Sequence, residues 1–227
     1  MPKTSIQTIP LTKIQFPEIQ LATRDAHKLR GYFGNLFKEH SPLLHNHYED
    51  GTFRYRYPQV QYKVIDKTPT LVGILEGSEL LTQLFLKINE IDIEGLKYQV
   101  HSKNISQENV NCGYSNEIHE YQFKTLWYAL NQANYKEYSQ LKNQAEKEAM
   151  LNRILIGQML SFFTNIELQL KPEERLMTKV KVSERSSQLK GNRLIVFKGS
   201  FVSNAILPNH IGIGRSVSRG FGSIERI

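Results

Sequence analysis

Cysteine is nearly absent from this chain. Among 227 residues there is one, Cys112, which excludes an intramolecular disulfide framework and every zinc site built on several thiolates. Such usage fits a reducing compartment, and the cytoplasm is the expected location. Long apolar runs are missing as well. The longest largely apolar stretch, Ile154 to Phe163, is broken by Gln158 and Ser161 and falls short of the ~20 residues that a membrane-crossing helix needs. No membrane association is expected. Met1-Pro2-Lys3-Thr4-Ser5 runs into mixed polar residues without an apolar core, so no signal peptide is expected either. Acidic residues are scarce at one end. From Arg175 to Ile227 there are two, against ten basic residues, so this quarter carries +8 while the whole chain carries +7. A basic segment that also looks folded suits a polyanion, although a solvated basic surface would read the same way on charge alone.

What is present describes a folded protein: 40% hydrophobic and 22% charged residues. Thr4 to Phe16 reads as a strand. Thr23 is placed to cap a helix running to about Lys38, with Ala26, Leu29, Phe33 and Leu36 with Phe37 on one face. His40 to Gly51 is a polar, His-rich loop. Phe53 to Asp66 is extended, Asp66-Lys67-Thr68-Pro69 is a turn, and Thr70 to Leu75 is the return strand. Ser78 is placed to cap a second helix ending near Gly95, and Leu96 to His101 can close the sheet. This β-α-β-β-α-β order is the ferredoxin-like unit. Asn104 to Asn116 is polar and reads as a linker. A second unit follows, with a strand near Glu120 to Trp127, a helical pattern from Tyr135 to Asn165, and a hairpin of Thr178–Ser187 with Arg193–Ser203. A last strand spans Gly222 to Ile227. The second helix of a full repeat is missing. The expectation is therefore an α+β chain of two tandem ferredoxin-like (RRM-like) domains, residues 1–103 and 117–227, the second degenerate.

In place of the missing helix stands Gly212-Ile213-Gly214-Arg215-Ser216-Val217-Ser218-Arg219-Gly220-Phe221-Gly222. Glycines allow positive φ and close backbone approach. Successive amides in such a loop can form an anion-binding nest. Arg215 and Arg219 add bidentate phosphate donors, and the Ser216 and Ser218 hydroxyls add more. Dinucleotide and P-loop motifs do not fit, since position 217 is Val and no Gly-Lys-Ser/Thr follows. A plain glycine-rich connection is the alternative.

His45 and His47 form the one close histidine pair. Two apart in an extended segment, they share a face. Paired imidazoles suit ribonuclease chemistry, one taking a proton from a ribose 2′-OH and the other protonating the leaving 5′-oxygen. Tyr48 could donate to a phosphate oxygen. His40, His45, His47, Glu49 and Asp50 also cluster as a metal site would, though with no recognised zinc spacing, and surface histidines without a role are a third reading. Arg54 and Arg56 alternate with Phe53, Tyr55 and Tyr57. Lys179, Lys181 and Arg185 share spacing on the expected hairpin. Basic residues beside tyrosines on a strand face suit RNA, and equally a solvated face.

The loop pattern near the C-terminus, the run Tyr57-Pro58-Gln59-Val60-Gln61-Tyr62-Lys63 and the histidines two apart together resemble the CRISPR repeat-processing endoribonucleases, most closely the b subtype. The resemblance covers the whole chain in element order. It implies cleavage of CRISPR repeat RNA without a metal or other cofactor, by 2′-OH attack, leaving a 2′,3′-cyclic phosphate and a 5′-OH. It implies that His45 and His47 are catalytic, with His40 in reserve. The RNA contacts would be Arg54, Arg56, Lys179, Lys181, Arg185 and the loop, namely Gly212, Gly214, Arg215, Ser216, Ser218, Arg219, Gly220 and Gly222. Subunits of a CRISPR effector complex and a second copy of the chain are further candidate partners. The rival is a non-catalytic protein of the same fold that only holds guide RNA.

Overall fold

The computed structural model describes residues 5–37 and 57–227, apart from Lys190. The chain divides into two compact units. The N-terminal unit holds Thr8–Val110 and Val217–Gly220, and the C-terminal unit holds Met1–Gln7, Asn111–Ser216 and Phe221–Ile227.

The N-terminal unit runs β1 (Ile6–Gln15), α1 (Ala26–Leu36), β2 (Val60–Ile65), β3 (Thr68–Ile74), α2 (Glu76–Leu84), a small hairpin of β4 (Glu90–Ile93) and β5 (Leu96–Gln99), and then β6 (Asn104–Phe123). Its sheet order is β2-β3-β1-β6, the ferredoxin-like order. The fourth strand differs from expectation. Leu96–Gln99 pairs only with β4 in a separate two-stranded sheet, and Asn104 to Asn116, expected as a linker, belongs to a 20-residue strand. Its first residues are almost all exposed and polar, so no alternation of apolar and polar residues advertised it.

Helix entry also differs. Thr23 lies in a single 3-10 turn that leads into α1, where the Asp25 side chain accepts from the Ala22 amide at 3.1 Å. Ser78 sits inside α2 rather than capping it, wholly buried and 2.7 Å from the Thr12 hydroxyl. A Cβ on Gly77 would meet the Gln59 carbonyl oxygen at 2.3 Å, so only glycine lets α2 approach the sheet this closely. The core packs Ile14, Phe16, Leu29, Phe33, Tyr62, Val64, Leu71, Leu81 and Leu84 together, with Phe33 stacked on Phe16 and Tyr62 at 6.2 and 6.0 Å between ring centres.

The C-terminal unit uses the second part of β6, then α3 (Gln132–Gln140), α4 (Gln144–Asn165), β7 (Thr178–Leu189), β8 (Asn192–Ile206) and β9 (Ile224–Arg226). Its order is β7-β8-β6, with β9 on β6. The helical pattern expected as one element is two. Asn131 and Asn143 cap them, accepting from Asn134 N at 2.7 Å and Ala145 N at 2.9 Å, and extended backbone at Leu141 and Asn143 separates the two. The stripe Leu151, Leu155, Met159, Phe163 is buried, as expected. Cys112 is buried in β6 rather than set in a linker, and burial pushes its thiol up to about 12. No helix among the described residues is long and apolar enough to cross a membrane. Both units are ferredoxin-like. The second is degenerate because residues 207–223, between β8 and β9, replace the second helix.

Lys63 on β2 is wholly buried, and its Nζ has no hydrogen-bond partner among the described residues. Burial alone holds its ammonium at about 7, well below the ordinary 10.5. The unfolded chain therefore binds the extra proton between those values, and stability contributed by this site rises with pH across that window. Lys63→Met is expected to stabilise the fold at pH 6 by a few kcal/mol, on the scale of ~1.4 kcal/mol per pH unit, with the gain shrinking toward pH 10. Denaturant melts of both proteins across pH 6–10 check this.

Candidate functional site

The segment after β6 decides where the glycine-rich loop sits. Trp127 is wholly buried, stacked on Phe123 at 5.1 Å, and its Nε1–H donates to Gln158 Oε1 at 2.8 Å. This rigid segment offers three carbonyls. Two receive the loop: the Arg215 amide donates to Tyr128 O at 2.9 Å, and the Gly222 amide donates to Leu126 O at 2.8 Å. The loop base closes on itself through Ile213 N to Gly222 O at 2.8 Å and the bridge Gly212–Ser223. The glycines are required here. Gly214 has φ +115° and Gly222 has φ +65°, and a Cβ on Gly222 would lie 2.0 Å from Ile213 O.

The middle of the loop belongs to the N-terminal unit. Val217–Arg219 form a single 3-10 turn with Val217 and Ser218 buried, packed against α1 and β2. Gly220, at φ +94°, has no room for a side chain, since a Cβ would meet the Ala26 methyl at 2.4 Å. Of the loop amides, those of Ile213, Arg215, Gly220 and Gly222 are taken by internal carbonyls. The amides of Ser216 to Arg219 are not among them, so these and the guanidinium groups are the loop's candidates for holding an anion.

Arg215 is exposed, with its guanidinium 5.6 Å from the centre of the Tyr128 ring. Arg219 has a companion that sequence reasoning missed. Arg30 on α1 is half-buried, and its pKa is lowered first by burial and then by the positive charge of Arg219. Two like charges held near each other favour an anion between them. No sequence signal pointed to it, because Arg30 lies one helical turn beyond Ala26, whose approach to Gly220 only the fold reveals.

The β7–β8 hairpin carries Lys179, Lys181 and Arg185, all exposed. Register sets Ser183 opposite Lys198, so Lys198, also exposed, joins them on one face. Its position was legible only once the hairpin register was known. His40, His45, His47, Tyr48, Arg54 and Arg56 lie outside the described residues. The segment holding them leaves from the end of α1 and returns at β2. Among the described residues no group of three or more His, Cys, Asp or Glu is arranged to hold a metal ion.

Two family models match consecutive stretches of the chain: the Cas6b N-terminal domain over residues 7–111 and the Cas6b C-terminal domain over residues 113–227. The chain belongs to the Cas6b family. A crystal structure of a Cas6b superposes with a TM-score of 0.92 at 33% identity, covering 97% of this chain and 100% of that one. A second, titled as a CRISPR RNA processing endoribonuclease Cas6b, gives 0.78 at 31% identity with the same coverage. An uncharacterised protein of Methanocaldococcus jannaschii is 34% identical over 64% of this chain and 97% of its own length. Within the Cas6b frame, the loop is thus a fixed structure anchored on Leu126–Tyr128.

That anchoring has a measurable consequence. Gly222→Ala is expected to cost roughly 2 kcal/mol or more, because backbone collision adds to the strain of positive φ. Gly31→Ala, where a Cβ meets nothing within 4 Å, should gain up to ~1 kcal/mol. Thermal melts of the two variants compare them directly.

Proposed function

We propose that this Cas6b protein cuts CRISPR repeat RNA by attack of the ribose 2′-OH on the adjacent phosphate. Its activity is that of an endoribonuclease that processes CRISPR RNA. The observation that carries the reading is the family match over residues 7–111 and 113–227. The Arg30–Arg219 pair supports it, with positive charge where the Val217–Arg219 turn packs on α1 and β2.

The RNA supplies its own nucleophile, and the protein supplies proton transfer and charge stabilisation. One imidazole, neutral, accepts the 2′-OH proton. The other, protonated, donates to the leaving 5′-oxygen, each contributing on the order of 10²–10⁴-fold. The oxygen attacks phosphorus as the P–O5′ bond breaks, leaving a 2′,3′-cyclic phosphate and a 5′-OH. Tyr48 donates to a phosphate oxygen. Arg215, Arg219 and Arg30, with Lys179, Lys181, Arg185 and Lys198 along the hairpin, neutralise the RNA backbone, and Arg54 and Arg56 extend this set. Guanidinium charge near the scissile phosphate stabilises the charge that develops there.

A single 2′-deoxy nucleotide 5′ of the scissile phosphate is expected to abolish cleavage while leaving binding nearly unchanged, because one neutral hydrogen bond is worth ~1 kcal/mol. His45→Ala and His47→Ala should slow single-turnover cleavage by at least ~100-fold with binding intact. Cleavage of the deoxy RNA at the normal rate would refute the mechanism. Unchanged products from the double histidine variant would favour the non-catalytic RNA holder.

Arg215→Ala and Arg219→Ala should weaken binding and lower the slope of log affinity against log salt by ~0.7–0.9 for each lost phosphate contact. Filter binding at several salt concentrations measures this, and unchanged slopes would remove the loop from the phosphate path.

A further inference from the structure

Beside the loop, wholly inside the C-terminal unit, lies a cavity of about 580 Å³ whose lining includes Arg215, Arg153, Asn131, Asn134, Gly157 and Gln158. That volume is in the range of small-ligand pockets. Its floor is rigid. Gln158 accepts from Trp127 Nε1 at 2.8 Å and donates to Ala129 O at 2.9 Å, so both ends of its amide are used. Two guanidinium groups and one carboxylate edge it, with Arg153 reaching Glu137 at 3.1 Å through an exposed ion pair. Asn131 uses its oxygen to cap α3, which leaves its NH₂ donors. The side-chain amide of Asn134 has no hydrogen-bond partner among the described residues.

Gly157 is the telling residue. It lies in the interior of α4, where glycine is unfavourable relative to alanine. A Cβ there would meet nothing within 4 Å, and φ is not positive. Neither packing nor backbone conformation in the protein itself calls for glycine. The position leaves open space on the wall of a cavity that already holds arginines and unpaired amides.

We propose that this cavity is a subsite for one unpaired nucleotide of the RNA, with Arg215 and Arg153 on its phosphate and Asn131 and Asn134 on its base edge, over the bare helix surface at Gly157. The chemistry matches part by part. Guanidinium forks bind phosphate, side-chain amides pair with base edges, and single-stranded RNA is read through bases splayed out of the stack. The subsite rests on the reading that RNA runs over the loop, and it extends that reading from backbone holding to base selection.

Gly157→Gln is the direct test, with an end-labelled CRISPR repeat RNA as probe. The added side chain enters empty space, so the melting temperature should hold or rise, while affinity falls at least tenfold. Arg153→Gln, exposed and away from the core, should lower affinity and reduce the salt slope by ~0.7. Substituting each unpaired nucleotide of the RNA in turn should weaken binding to the wild type at one position and make no further difference to Gly157→Gln. Wild-type affinity in both variants overturns the subsite and leaves the RNA-processing reading standing. Failure of the wild-type protein to bind repeat RNA overturns both.

Discussion

The loop depends on one constraint, the backbone approach between Leu126–Tyr128 and the two glycine pairs. Two carbonyls on that segment take the amides of Arg215 and Gly222, and no side chain fits at Gly222. The segment can serve as an anchor because Trp127 is locked beneath it by Phe123 and Gln158. A glycine-rich stretch left to itself would be among the most mobile parts of a chain. Here its entry and exit are held together, with Arg215 exposed between them and Val217 and Ser218 buried.

That constraint also explains why the second ferredoxin-like unit is degenerate. The connection from third to fourth strand normally carries a helix that covers one face of the sheet. A helix consumes its own amides and points its side chains outward at fixed angles. A tethered loop instead offers guanidinium groups on short leads and allows another backbone to come close. The loss of a helix is tolerable because α4 supplies the core on that side, through Leu151, Leu155, Met159 and Phe163. The loop's buried turn, Val217–Ser218, then gives the N-terminal unit a floor against α1 and β2. In the reaction proposed, Arg30 and Arg219 bring positive charge to this floor.

The sequence revealed the parts whose signals are local. The turn at Asp66–Lys67, the helix stripes and the β7–β8 hairpin follow from residue spacing, and the bracketed glycines announced the loop. It hid what depends on tertiary partners. The first part of β6 was unreadable because it is exposed and lacks apolar alternation, and the small β4–β5 hairpin took the place expected for the closing strand. The break between α3 and α4 lies in extended backbone at Leu141 and Asn143. Among the residues proposed to hold RNA, Arg30 and Lys198 escaped because a helix face and a strand register had to be known first. Four of the loop amides are engaged within the protein, which a count of glycines could not show.

In the proposed reaction, RNA provides the attacking oxygen while the protein moves protons and holds charge. End-group analysis of single-turnover products by mass spectrometry is the direct test. The expected products are a 5′ fragment ending in a 2′,3′-cyclic phosphate and a 3′ fragment beginning with a 5′-OH. A 5′-phosphate paired with a free 3′-OH would contradict it, because that outcome requires water as the nucleophile.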